Sequence, residues 1–258
     1  MIKFSIITSL YNSEKFLDKY FSTIFSQKLK PYEIILIDDT NNSINLKENI
    51  EKAKNFYNFD KIYLIHNDTN LGPALSLNKG IVICKNDLIF RLDVDDQWKP
   101  EHTNEMIQHY YKDNSYLIYA NSLRKRNFLT NLKCDDYLIN ENHLIHSSWL
   151  INRAVCKNFR YHMLRPSIGL EDYFTLLYYS KKFRFFFSYS NNVYYLNNID
   201  SHGKNSRKHK NYLKIRKRIA KIFFYEQVKN KSLLYKLYFI FFKLRFHKFI
   251  IFILLYLK

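Results

Sequence analysis

Short apolar runs alternate with amphipathic stretches through the first half of the chain. The apolar runs lie at 4–7, 33–37, 61–65, 88–92 and 116–119. Runs of this length are typical of strands buried on both faces of a sheet. The stretches between them carry apolar residues every three or four positions, as helices do, and lie near 13–25, 44–56, 74–83 and 100–112. This alternation predicts βαβ units in a mainly parallel, Rossmann-like α/β sheet flanked by helices.

Local signals refine the predicted helix ends. Ser13 is a residue type that caps helices, and Pro100 is suited to a first helical turn. We therefore expect one helix to begin after Ser13 and another to include Pro100 in its first turn. Residues 70–73 read Asn-Leu-Gly-Pro and predict a turn before the third helix.

Polar residues follow three of the predicted strands. Residues 9–12 follow the first strand, Asp38 and Asp39 the second, and residues 93–96 the fourth. Because parallel strands present their carboxyl ends at one edge, where ligands bind, these clusters are expected to form one site.

The acidic loop at 93–96 indicates what this site binds. Asp93, Asp95 and Asp96 are close enough to repel one another, so a hard divalent cation such as Mg²⁺ or Mn²⁺ would stabilise them together. Such a cation bridges phosphates and neutralises a departing nucleoside diphosphate. The alternative is a solvated turn in which one Asp caps the next helix, and the loop alone does not decide between them.

The composition indicates an ordered, globular protein and a reducing cellular compartment. A hydrophobic content of 47% over 258 residues excludes a disordered chain. Cys84, Cys134 and Cys156 are odd in number and lack a CxxC pair, which favours a reducing cytosol over a disulfide framework or zinc site. No charged segment precedes a long apolar core at the start, so we expect no cleaved signal peptide.

The net charge of +18 is concentrated in the last part of the chain. From Gly203 onward there are 16 Lys and Arg and one acid, Glu226, whereas residues 1–202 hold 25 bases and 22 acids. We place a domain boundary here, with a catalytic domain at 1–205 and a basic amphipathic helical tail at 206–258.

The tail is expected to lie on an anionic membrane surface. Its longest uninterrupted apolar run, 249–257, is far shorter than the ~20 residues that span a bilayer. Bases recur along it, and each one near such a surface contributes about 1 kcal/mol. A helix packed on the catalytic body, a partner-binding helix and a nucleic-acid arm are the alternatives. Since no nucleic-acid-binding motif accompanies the bases, no nucleic-acid partner is predicted.

Four segments together resemble the family 2 glycosyltransferases of bacterial surface-glycan synthesis, which have the GT-A fold. They lie at 5–12, 34–40, 70–74 and 90–98, in the family's order and spacing, and the resemblance continues more loosely over 140–205. It implies an inverting, metal-dependent transfer of a sugar from a nucleotide-sugar, UDP-hexose or UDP-N-acetylhexosamine. The acceptor would be a hydroxyl of a glycan or glycolipid in surface polysaccharide or lipooligosaccharide biosynthesis.

The resemblance also implies roles for the rim residues. Thr8, Ser9 and Tyr11 would line the base and ribose pocket, and Asp39 would accept a hydrogen bond from uracil. Asp93 and Asp95 would contact the ribose and the metal, and Asp96 would share the metal. Asn70 and Asn78 would border the sugar diphosphate, although Asn70 also reads simply as a turn former.

The catalytic base implied by the resemblance is Asp172, with Glu171 as its neighbour or as an acceptor contact. The alternative is that this pair only favours a helix N-terminus. Residues 146–149, His-Ser-Ser-Trp, lie where the family places a loop under the donor sugar and acceptor. There Trp149 would stack on a sugar ring or else lie in the core.

Near the end of the catalytic domain, the resemblance places a segment that closes over the diphosphate. There His202 would be a metal or phosphate ligand, and Lys204 or Arg207 would pair with phosphate charge. A plain surface loop is the alternative.

Two other functions fit these residues less well. A nucleotidyltransferase usually carries a glycine-rich loop after its first strand, where this chain has residues 8–12, Thr-Ser-Leu-Tyr-Asn. A catalytically inactive, membrane-peripheral binding protein would not need to retain Asp39, Asp93, Asp95 and Asp172 together. The expected location is the cytoplasm, at the inner face of the cell membrane.

Overall fold

The computed structural model describes residues 2–40, 44–122, 144–162, 170–180, 182–189 and 192–195. The strands are β1 Ser5–Leu10, β2 Glu33–Asp38, β3 Ile62–His66, β4 Leu88–Arg91, β5 Asp96–Trp98, β6 Ile118–Ser122, β7 Leu150–Asn152, β8 Phe185–Tyr189 and β9 Val193–Tyr195. The helices are α1 Leu17–Phe25, α2 Ile44–Tyr57, α3 Pro73–Ile83, α4 His102–Lys112 and α5 Glu171–Ser180.

Seven strands form one sheet in the order β3-β2-β1-β4-β7-β6-β8. The pairs β3–β2, β2–β1, β1–β4 and β6–β8 are parallel, whereas β7 runs antiparallel to both β4 and β6. This confirms the predicted α/β class with a mainly parallel sheet. The antiparallel β7 was not predicted, because a strand of three residues has no periodicity to detect.

Helices cover both faces of the sheet. One hydrophobic cluster includes α3 and α5 residues such as Leu77 and Leu176, and the other includes residues of α1, α2 and α4 such as Tyr20 and Met106. Neighbouring residues of β1 divide between them: Ile7 lies in the first cluster and Ile6 in the second. Because β1 is buried on both faces, its sequence is apolar without alternation.

The strands β5 and β9 form a separate antiparallel ribbon. Asp96 is opposite Tyr195 and Trp98 is opposite Val193. The chain therefore leaves β9 beside Asp96, at the end of the acidic loop. From the sequence alone, Asp96 is expected in a loop, and no strand is predicted there.

Two predicted helix starts are wrong. Ser13 precedes a 3₁₀ turn, Glu14–Phe16, and its buried hydroxyl has no hydrogen-bond partner within the described residues, so it does not cap α1. Pro100 lies two positions before α4, and its carbonyl accepts the N–H of Lys28 at 2.8 Å. That contact holds Pro100 to the end of α1 rather than in the first turn of α4.

The basic tail at 206–258 lies outside the described residues, so its helical character and the boundary at 205 stay predictions. Among the residues that are described, no helix combines the length and apolar content needed to cross a bilayer. Cys84 and Cys156 are free thiols there, and Cys134 is outside the described part.

Candidate active site

The carboxyl ends of β1, β2 and β4 meet at one edge of the sheet. Leu10 is paired with Asp38 and Ile7 with Arg91. The backbone N–H of Asp39 donates to the carbonyl of Leu10 at 2.9 Å. The three polar clusters that follow these strands therefore share this edge, as parallel pairing requires.

The residues expected to line the base and ribose pocket differ in exposure. Thr8 is fully buried; its hydroxyl donates to the carbonyl of Leu92 at 2.7 Å and lies 2.8 Å from the Tyr20 hydroxyl. This corrects the role expected for its side chain, which fastens β1 to the chain leaving β4. Ser9 is half-buried and Tyr11 is 59% exposed, so these two remain accessible at the rim.

The Asp39 carboxylate organises the turn before α3. It accepts hydrogen bonds, each of 2.8 Å, from the Asn67 side-chain amide and from the backbone N–H groups of Leu71 and Gly72. A carboxylate has about four acceptor sites, so three donors leave room for one more. A hydrogen bond from uracil would use that last site and stays a prediction.

The Asn residues of this region make structural contacts. Asn70 is exposed, and its side-chain oxygen accepts the N–H of Gly72 at 3.1 Å, as a turn former does. Gly72 has a φ of 79°, which favours glycine. Asn78 exchanges two hydrogen bonds with the backbone of Tyr161, at 2.7 and 3.0 Å, and so ties α3 to the segment at 159–162.

Asp93 forms an ion pair with Arg91, whose guanidinium is buried at the end of β4. The Asp93 side chain is 37% exposed. Burial disfavours its ionised form, but the adjacent guanidinium outweighs this and holds the pKa of Asp93 below its usual value. Asp93 is therefore a carboxylate at neutral pH, with its open side toward the rim.

Asp96 lies deeper than Asp93. It is 4% exposed, and its carboxyl group is hydrogen-bonded to Ser147. Burial, reinforced by the charge of Asp93, raises the pKa of Asp96 to about 8. Ser147 also lies 3.0 Å from Asp93 Oδ2, but its single hydroxyl hydrogen serves only one of the two carboxyl groups.

These acids do not make a complete metal site by themselves. Within the described residues, no group of three or more His, Cys, Asp or Glu side chains is arranged to hold a metal ion. Asp93 already contacts Arg91 and Ser147. Asp96 is the least accessible of the acids to a cation, because it is buried and hydrogen-bonded to Ser147. Mg²⁺ is commonly held by one or two carboxylates plus substrate phosphates. Asp93 and the half-buried Asp95 fit a cation of that kind, one that arrives with a diphosphate.

The acidic pair Glu171–Asp172 begins α5, where the N–H of Phe174 donates to the carbonyl of Leu170 at 2.8 Å. Both side chains are half-buried. Burial and then the charge of Asp172 raise the pKa of Glu171 to about 7. The pair thus lies at a helix N-terminus, which is the alternative stated for it above. It also contains a carboxyl group, that of Glu171, which titrates near neutrality.

Tyr161 connects the two acidic groups electrostatically. Burial raises the pKa of its phenol, and the charges of Arg91, Asp93, Asp172 and Glu171 all act on it. Residues nearly 80 positions apart in sequence therefore share one electrostatic environment. The Glu171–Asp172 pair and the acidic loop are therefore close enough to act on the same side chain, whereas their roles as base and donor-binding loop stay predictions.

Trp149 belongs to the core. It is fully buried, and its ring stacks on Tyr161 with centroids 5.9 Å apart and an angle of 8° between the planes. The alternative of a core tryptophan is therefore correct, and the ring does not reach a sugar.

Two site residues, Arg91 and Tyr161, were not singled out from the sequence, and Ser147 was included only as part of the segment 146–149. Arg91 had a detectable signal, because a charged residue inside an otherwise apolar strand is rarely buried without a partner. The resemblance implies a place for residues 146–149 under the donor sugar and acceptor, but only the fold shows that the Ser147 hydroxyl reaches Asp93. Tyr161 stands in a segment with no motif. His202, Lys204 and Arg207 lie outside the described residues, so their roles stay predictions.

Comparison with known proteins bears on this arrangement. The family described as Glycosyl transferase family 2 matches residues 5–193, about three quarters of the chain. The chain belongs to this family. The match includes the polar rim, the acidic loop and the Glu171–Asp172 pair.

Curated relatives of this glycosyltransferase family 2 member match over shorter stretches. EpsE of Bacillus subtilis is 34% identical over 116 residues, which are 45% of this chain and 41% of EpsE. The amylovoran biosynthesis glycosyltransferase AmsE of Erwinia amylovora is 32% identical over 108 residues, 41% of this chain and 40% of AmsE. The chain thus spans less than half the length of these relatives.

Solved structures share the fold of this family 2 chain. S. aureus TarS 1-349, determined in complex with UDP-GlcNAc, superposes with a TM-score of 0.64 at 17% identity, covering 90% of this chain and 68% of that one. The mannosyltransferase PcManGT from Pyrobaculum calidifontis, in complex with GDP-Man and Mn²⁺, gives 0.60 at 13% identity, covering 90% and 76%. At such identities the likeness establishes the fold alone, which agrees with the predicted GT-A type.

Proposed function

We propose that this protein is an inverting glycosyltransferase that moves a sugar from a nucleotide-sugar to an acceptor hydroxyl with the help of a divalent cation. The observation that supports the proposal is the common electrostatic environment of Asp93 and the Glu171–Asp172 pair, whose charges all act on the buried Tyr161. A carboxylate for the donor's cation, with a carboxyl pair nearby in which Glu171 titrates near neutrality, suits transfer assisted by a general base.

The donor is proposed to bind along the rim of β1, β2 and β4. The exposed ring of Tyr11 would stack on the base, and the remaining acceptor site of Asp39 would receive the uracil N–H. Asp93 and Asp95 would hold the cation, and that cation, when bound, neutralises the developing charge of the leaving diphosphate. TarS and PcManGT were determined with a uridine and a guanosine sugar nucleotide respectively, so fold alone leaves the base open. We propose UDP, with a hexose or N-acetylhexosamine.

The acceptor step is assigned to Asp172. Its carboxylate would take the proton from the attacking hydroxyl, which forms the new bond on the face of the sugar opposite the leaving UDP. Near neutral pH Glu171 carries its proton part of the time, so its carboxyl group can donate a hydrogen bond to the acceptor.

The acceptor and the location are proposed from composition and from the relatives. AmsE is named for the biosynthesis of the polysaccharide amylovoran, which supports a role in surface polysaccharide or lipooligosaccharide synthesis. The 16 Lys and Arg after Gly203 would hold the enzyme at the inner face of the membrane, next to a glycolipid acceptor. His202 and Lys204 are proposed to contact the diphosphate, because β9, the last described strand before them, ends with Tyr195 opposite Asp96 of the acidic loop.

A donor screen tests this proposal. The full-length protein is incubated with UDP- and GDP-sugars in Mn²⁺ or in EDTA, and slow release of the nucleoside diphosphate is measured. We expect release from one UDP-sugar, only with the metal. Pyrophosphate release from UTP and a sugar phosphate would instead identify a nucleotidyltransferase. Tight UDP-sugar binding without hydrolysis or transfer would indicate a binding protein.

A further inference from the structure

The hydroxyl of Ser147 lies between the first and last acids of the acidic loop. Its Oγ atom is 3.0 Å from Asp93 Oδ2 and is also hydrogen-bonded to Asp96 Oδ2. It accepts the backbone N–H of Asp93 at 3.2 Å and a guanidinium N–H of Arg91 at 3.3 Å. Ser147 is fully buried. A single side chain thus contacts both ends of the loop and the arginine that pairs with it.

The turn that carries Ser147 is fixed on several sides. The Trp98 indole N–H donates to the carbonyl of Ser147 at 2.6 Å, which ties the turn to β5. Ser148 accepts the N–H of Asn121 at 2.8 Å, which ties it to β6. His146 lies 3.0 Å from the Tyr161 hydroxyl through its Nε2 atom. Since the backbone is held this way, the Ser147 hydroxyl cannot withdraw from the loop without breaking other contacts.

We propose that Ser147 is a positioning residue for donor binding. Its hydroxyl sets the separation of Asp93 and Asp96, and thereby the direction in which Asp93 and Asp95 present oxygens to a cation and a diphosphate. This inference rests on the proposed function. It adds that the acidic loop depends on a hydroxyl 54 residues away in sequence.

Ser148 provides a matched control. It occupies the same 3₁₀ turn, His146–Ser148, is equally buried, and also uses its hydroxyl in two hydrogen bonds. Its partners are backbone atoms of Asn121 and Ile145, away from the acids. Ser147→Ala and Ser148→Ala therefore remove the same group from the same turn, and only the first change touches the loop.

The experiment measures UDP binding to the full-length protein and both variants by calorimetry, in Mn²⁺ and in EDTA. Loss of the hydroxyl between Asp93 and Asp96 disturbs the oxygens that meet the cation, so we expect the Kd of Ser147→Ala to rise about tenfold or more in Mn²⁺. Ser148→Ala should stay within about twofold of wild type, and in EDTA both variants should match it. If the alanine variant fails to fold, Ser147→Cys, which keeps the shape with a weak donor, is expected to show the same metal-dependent loss.

Two results would overturn the assignment of Ser147. One is equal weakening in both serine variants; the other is a loss in Ser147→Ala of the same size with and without Mn²⁺. Either would leave the proposed enzyme function intact. A wild-type protein that binds UDP no better in Mn²⁺ than in EDTA would instead contradict the metal-dependent function, and this inference with it.

Discussion

The Nε2 atom of His146 lies 3.0 Å from the phenolic oxygen of Tyr161. Burial, helped by the nearby charge of Arg91, lowers the pKa of His146 well below its usual value, so the imidazole is neutral. The raised pKa of Tyr161 keeps its hydroxyl hydrogen in place. Tyr161 therefore donates and His146 accepts, and this bond joins the turn beside the acidic loop to the segment beside Glu171.

Tyr161→Phe is expected to destabilise the protein. The change removes the donor and leaves the His146 nitrogen without this partner, at a cost of about 1–3 kcal/mol. Urea unfolding measures the difference. Tyr178→Phe is the control, because Tyr178 is 46% exposed and a surface change of this size should cost under about 0.5 kcal/mol. Equal losses in the two variants would show that the hydrogen bond contributes nothing.

Arg91→Met is expected to cost about 1.5–3 kcal/mol, because it removes the charged hydrogen-bond partner of Asp93, whose side chain is 37% exposed. Chemical denaturation in the absence of nucleotide measures this loss separately from activity. The matched control is Arg184→Met, whose partner Asp113 is 3.7 Å away in an exposed pair and should contribute at most about 1 kcal/mol. If Arg91→Met lowered the free energy of unfolding no more than Arg184→Met, the Arg91–Asp93 pair would contribute little to stability.

Asp172→Asn is expected to lower kcat by about 10²–10⁴, the usual contribution of a general base. The amide keeps the shape but cannot take a proton, so the Kd for UDP should stay close to wild type. Steady-state kinetics with the donor found in the screen, together with calorimetry, check both points. Near-normal turnover would remove Asp172 from the mechanism.

Glu171→Gln is expected to raise stability at high pH and not at low pH. The pKa of Glu171 is raised in the folded protein from 4.5 to about 7, so the folded state binds more protons than the unfolded state between these values. Stability therefore falls as pH rises through this window and stays lower above it. The Tm of the variant should exceed that of wild type at pH 8 and approach it at pH 4. A difference of equal size at both pH values would contradict the raised pKa.

The order of strands and helices in the first half of the chain was predictable because each buried strand is a continuous apolar run. Later strands were not, since β7 and β9 have three residues each and derive their stability from pairing rather than pattern. Ser13 shows a related limit. A capping residue type predicts the start of an α-helix only when the residues directly after it are α-helical. Here the 3₁₀ turn Glu14–Phe16 lies between Ser13 and α1.

The site was predictable where chemistry is local in sequence. The acidic loop, Asp39 and the Glu171–Asp172 pair are recognisable from spacing and from the family resemblance. The side chains that surround the acids, Arg91, Ser147 and Tyr161, are brought there only by the fold. The sequence showed that Thr8 follows the family pattern, but only the packing of Tyr20 against it shows that its hydroxyl is turned inward.

The β5–β9 ribbon restricts how the acidic loop can change during evolution. Asp96 is both the last acid of the loop and the first residue of β5, whose alternate residue Trp98 is buried. Only residues 92–95 separate β4 from β5, so one residue inserted there would either move Asp93 or Asp96 away from Ser147 or shift β5 by one position and turn Trp98 out of the core. Insertions and deletions should therefore be rare at 93–96 in close homologues, even in those that use a different nucleotide or no metal.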